Sequence, residues 1–112
     1  MQSWNLRELE MSEGSRSPIV LHSSPDARSV LIGLEPGQEL GDHQVKENAY
    51  LVVVGGQVEV ESGDETMSAG TGTLFRFEPD ERHRVSSVNG ARILLLLAPW
   101  PGPGHYRGQG AA

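Results

Sequence analysis

The stretch GQELGDHQVKENAYLVVVGG, residues 37–56, decides how this chain is read. It opens on the pair Pro36-Gly37, a turn signal because proline fixes φ and glycine accepts a positive one. Leu40 to Val45 reads as a short strand carrying His43, and Lys46-Glu47-Asn48 is a polar break after it. Ala49 to Val54 is rich in β-branched residues, which suit a pleated, buried surface. Gly55-Gly56 is expected to stop that strand, since glycine weakens strand interiors.

The same rhythm continues on both sides. Toward the C-terminus, Gln57-Val58-Glu59-Val60-Glu61 alternates polar and apolar, the period of a strand with one wet face. Ser62-Gly63-Asp64-Glu65 makes a hairpin turn, Thr66-Met67-Ser68 leads out, and Ala69-Gly70-Thr71-Gly72 turns again. Thr73 to Phe77 is a strand, Glu78-Pro79-Asp80-Glu81 a turn, and Arg82 to Val88 a second alternating strand. Asn89-Gly90 is a hairpin signal, and Ala91 to Ala98 is the last strand. Toward the N-terminus, Ile19 to His22 and Ala27 to Glu35 are strands separated by Ser23-Ser24-Pro25-Asp26. About nine short strands with frequent turns, and no stretch with a helical period, predict an all-β sandwich or barrel over residues 18–98. Residues 1–17 form a polar N-terminal segment anchored by Trp4, Leu6, Leu9 and Met11, with a loop at Ser12 to Ser15. Residues 99–112 form a Pro/Gly-rich tail, which its prolines keep out of regular structure; residues 106–112 are expected to fray.

Composition narrows the function. The chain has 112 residues, room for one domain, with 37% hydrophobic residues, 14 glycines and 7 prolines. Nine basic against 15 acidic residues give a net charge of −6, so nucleic acid and anionic membranes are expected to be poor partners. With no cysteine, disulfides and thiolate metal sites are excluded, and any metal must sit on His, carboxylate, amide or water ligands. The N-terminus lacks the apolar stretch of a secretory leader, and the longest apolar run, Ile93 to Ala98, is too short to span a bilayer. A cytoplasmic protein is expected.

Of four histidines, His43 and His83 stand in the most informative surroundings. They lie 40 residues apart, on strands that an antiparallel barrel can bring together, and matching parity would turn both rings into one interior. His22 reads as a surface or rim residue, and His105 as a cap on the tail.

At these residues the sequence resembles the cupin superfamily. Its first motif, G-x5-H-x-H-x3-E-x6-G, is matched by Gly37, His43 and Gly56 without insertion or deletion. Its second, G-x5-P-x-G-x2-H-x3-N, is matched by Gly72 and His83, with Pro79 displaced by one, Asp80 at the turn glycine and Ser87 at the asparagine. The resemblance spans about residues 27–98 and implies a double-stranded antiparallel β-barrel of the jelly-roll kind, and a homodimer. The tail also resembles the APWPGPGH ending of small single-domain cupins of unassigned function. In metal-binding cupins two histidines and a glutamate of the first motif join the histidine of the second. Here Val45 stands at the second histidine and Ala49 at the glutamate, so two of four ligands remain.

Three readings follow. A small polar molecule could be bound by His43 and His83 in a pocket whose lining includes Val45 and Ala49, as a binding or sensing module. A divalent metal such as Zn, Ni, Fe or Mn could sit on His43 and His83, with Glu47 swinging in from the break as a third ligand, in a degenerate dioxygenase- or isomerase-like enzyme. Metal-free acid–base chemistry could use His43 or His83. For Glu47 the plainer expectation is an exposed turn carboxylate.

Overall fold

The computed structural model describes residues 1–11 and 18–105, and every strand it contains runs antiparallel to its neighbours. In chain order these are β1 (Ile19–Ser23), β2 (Arg28–Leu34), β3 (Glu39–His43), β4 (Asn48–Ser62), β5 (Glu65–Gly70), β6 (Leu74–Phe77), β7 (His83–Ser86) and β8 (Ala91–Ala98). The loop expected at Ser12 to Ser15 and the fraying expected at residues 106–112 lie outside the described residues.

Among the described residues eight strands replace the about nine expected, because Gly55-Gly56 does not stop β4. The pair bends it instead, within a single strand of 15 residues. A register shift falls between Val53 and Gly55, and Gly56 takes a φ of 82°, the left-handed region that glycine enters without steric cost. Ala69 and Gly70, expected in a turn, close β5 by pairing with Val58 and Gln57.

The bent β4 joins two halves of one curled sheet. Its first half pairs with β6 and β8, and its second half with β5 and β7. The path β1-β2-β8-β4-β7-β3 runs across the molecule, with β5 and β6 added on β4. This is the jelly-roll arrangement expected.

Period-2 alternation sends Val30, Ile32, Leu34, Ala49, Leu51, Val53, Val58, Val60, Phe77, Val85, Ile93 and Leu97 into a single core. Burying each of the larger aliphatics contributes on the order of 1.5–3 kcal/mol. The outer face of β1, β2, β8, β4 and β6 is apolar as well. Cross-strand register lines up Ile19, Leu31, Leu94, Val52 and Leu74. The N-terminal segment lies on this face, held by Arg92, whose guanidinium donates to the carbonyls of Leu6 and Arg7 at 2.8 and 2.9 Å.

Candidate functional site

Cross-strand register places His43 of β3 directly opposite His83 of β7. The ring centroids are 4.3 Å apart with the planes inclined by 59°. His83 is 3% exposed, and its other face lies parallel to the Phe77 ring at 4.0 Å. His43 is half-buried. The pair therefore runs from the core, at Phe77, outward to the rim, at His43.

Backbone carbonyls set the tautomers. His43 Nδ1 lies 2.7 Å from the Gly41 carbonyl oxygen, and His83 Nδ1 lies 3.0 Å from that of Glu81. A carbonyl oxygen only accepts, so both Nδ1 atoms carry a proton and donate. In the neutral rings this leaves the lone pair on Nε2. The turn that supplies the Glu81 carbonyl is itself fixed. Ser62 Oγ donates to Glu81 Oε2 at 2.6 Å, and the Glu78 N–H donates to Oε1 at 3.0 Å. These hydrogen bonds, the hydroxyl's first, hold the Glu81 carboxyl below its ordinary range.

Of the residues expected to line the pocket, Ala49 is fully buried and sits in register with Phe77, which links it to the imidazoles through one ring. Val45 packs on the core, and its carbonyl accepts from the Asp80 N–H at 2.7 Å. Lys46 and Asp80 close the same seam with an ion pair at 2.6 Å. Together these contacts tie the β3–β4 connection to the β6–β7 turn.

Glu47 is not an exposed turn carboxylate. It is 0% exposed, because it shares the inward parity of Ala49, Leu51 and Val53 and extends their row one step past the strand. Its partners come from the tail: Oε2 accepts from the Gly102 N–H at 2.7 Å and lies 2.7 Å from His105 Nδ1. Oε1 is buried without a hydrogen bond. That parity was readable in the sequence; the partners in the tail, Gly102 and His105, were not. Among the described residues no group of three or more His, Asp or Glu side chains is placed to hold a metal.

His22 and the arginines lie elsewhere. His22 is exposed on β1. Arg28 lies 4.5 Å above the Trp100 ring. Arg76 bonds Asn48 at 2.8 Å, and Arg84 stands 3.9 Å from Glu61, both exposed. A surface cleft of about 420 Å³ on Glu61, Gly63, Thr66, Arg82 and Arg84 includes neither imidazole. Among the described residues no helix is long and apolar enough to cross a membrane.

The cupin domain family matches residues 30–98, well over half of the chain and both halves of the sheet. The chain belongs to the cupin family. Solved structures agree with this cupin's fold. An RmlC-like cupin from Desulfovibrio desulfuricans is 26% identical with a TM-score of 0.78, over 88% of this chain and 97% of that one. A protein from Thermus thermophilus is 23% identical with a TM-score of 0.77, covering 88% and 98%. A conserved protein of unknown function from Streptococcus pyogenes is 20% identical with a TM-score of 0.75, covering 87% and 86%. No curated protein matches the cupin.

Proposed function

We propose that this cupin is a binding or sensing module that takes a small polar molecule at the His43–His83 end of its barrel. The observation that carries this reading is the tautomer assignment. Two adjacent imidazoles have both Nδ1 atoms committed to backbone carbonyls, so the acceptor nitrogen of each neutral ring is Nε2. Phe77 stacks on His83 and Ala49 is in register with Phe77, so the wall behind the rings is apolar. A few convergent polar atoms on an apolar wall suit an O–H- or N–H-bearing ligand of metabolite size.

Imidazole ¹H–¹⁵N correlation spectra test the reading. Both rings are expected as Nδ1–H tautomers. Their Nε2 resonances should move on addition of at least one member of a panel of polyols, amino acids, amines and nucleosides. Nε2–H tautomers, or a panel that leaves both resonances still, would end it.

The same two lone pairs favour a second reading, a degenerate metalloenzyme of the dioxygenase or isomerase kind with a divalent cation on His43 and His83. Two protein ligands bind a cation weakly. Titration with Zn²⁺, Ni²⁺, Fe²⁺ and Mn²⁺ separates the readings: stoichiometric binding that disappears in a His43→Ala, His83→Ala double variant supports the enzyme. Binding too weak to saturate supports the metal-free module.

A further inference from the structure

Residues 99–105, which follow β8, form neither strand nor free tail. Ala98 pairs with Asn48, and Pro99 to His105 then cross toward the β3–β4 connection. The Trp100 N–H donates to the Pro25 carbonyl at 3.4 Å, and the indole packs on the core. It has Arg28 over its ring and His105 edge-on at 4.5 Å. Gly102 is buried and pressed against the Lys46 backbone: a Cβ there would lie 2.6 Å from the Lys46 carbonyl oxygen. At that point of contact Gly102 and His105 reach the Glu47 carboxylate.

This strap lies over the same end of the interior as the histidine pair. Glu47 is two residues before Ala49, Ala49 is in register with Phe77, and Phe77 stacks on His83. The closed state leaves part of a buried charge unsatisfied. Removing a carboxylate from water costs several kcal/mol unless hydrogen bonds replace its hydration. The strap supplies bonds to Oε2 and leaves Oε1 with none. Lifting the strap returns both oxygens to water, at the expense of the Trp100 and Gly102 contacts. A segment anchored on an incompletely satisfied buried group is a place where a fold opens locally.

We propose that Pro99–His105 is a gate, latched through Gly102 and His105 to Glu47, whose opening uncovers the barrel end that holds His83. Its meaning as control of ligand entry rests on the binding reading above; the gate itself does not.

The test uses the full chain with Trp4→Phe, so that Trp100 is the sole tryptophan. Acrylamide quenching of Trp100 reads the strap, and the rate of His83 modification by diethyl pyrocarbonate, followed by mass spectrometry, reads access to the site. Neither needs a ligand, so failure of the gate and failure of the binding reading are separable. His105→Ala, which removes a half-exposed donor outside the barrel, is expected to raise quenching about twofold and His83 modification several-fold with the melt still cooperative. Glu47→Gln should act in the same direction. Unchanged quenching in both variants removes the latch. A released Trp100 with unchanged His83 reactivity removes the gate.

Discussion

At the scale of the residue, the site depends on atoms that fix rings rather than on the rings alone. Glu81 is the clearest case, because its carboxylate holds the turn whose carbonyl orients His83. Its folded value lies below the ordinary carboxylate value of 4.5. Its contribution to stability is therefore complete above that value and is lost as the pH falls through the folded one. Thermal melts of wild type and Glu81→Gln should differ at about pH 7 and converge as the pH falls below the folded value; a gap that does not change with pH would show that Glu81 does not act through its charge. Glu47 is expected to behave differently. Glu47→Ala leaves the buried Gly102 N–H without its acceptor, and a loss of about 1–3 kcal/mol is expected from denaturant melts. A loss below about 0.5 kcal/mol would mean that the carboxylate is no better placed than a surface group.

At the scale of the element, β4 carries the architecture. A long strand serves both halves of the sheet only if it bends, and it bends where another backbone lies close to it. A Cβ on Gly56 would collide with the Gly90 carbonyl oxygen and come within 2.9 Å of Ala91 Cα, at a φ of 82°. Gly37 has a similar φ of 83° with nothing within 4 Å. Gly56→Ala should thus cost roughly 3 kcal/mol or more, and Gly37→Ala about 1 kcal/mol, the conformational part alone. Equal costs in parallel urea melts would show that the close approach at Gly56 is not what demands glycine there. Alternation and turn residues made most strands legible in the sequence. The fusion of two strands at Gly55-Gly56 was not, because a glycine pair marks a stop and a bend alike, and only cross-strand partners on both sides of it decide.

At the scale of the whole molecule, the doubly apolar half of the sheet needs explanation. Leu31 is 0% exposed although it lies outside the core cluster, whereas Leu74, at the other end of the same row, is 61% exposed. The chain itself covers Leu31, and we propose that a second copy covers the exposed end of the row at Leu74, the homodimer expected from the family resemblance. An apolar row ending in an exposed edge strand is what two-fold association buries. Light scattering should then report twice the 12.1 kDa chain mass, and Leu74→Glu should return the single-chain value. A wild-type protein at the single-chain mass at about 100 μM would exclude the dimer.

The sequence by itself determined the strand rhythm, the family and the two imidazoles as a candidate pair, because side-chain parity, turn chemistry and motif spacing are local properties written along the chain. Tertiary structure alone decided that His83 stacks on Phe77, that both Nδ1 atoms are committed to carbonyls, and that Glu47 is buried beneath the tail. Each of these depends on groups distant in sequence meeting in space. Parity tells which way a polar side chain beyond a strand end points; whether it is covered is set by what packs over it, which no local pattern encodes.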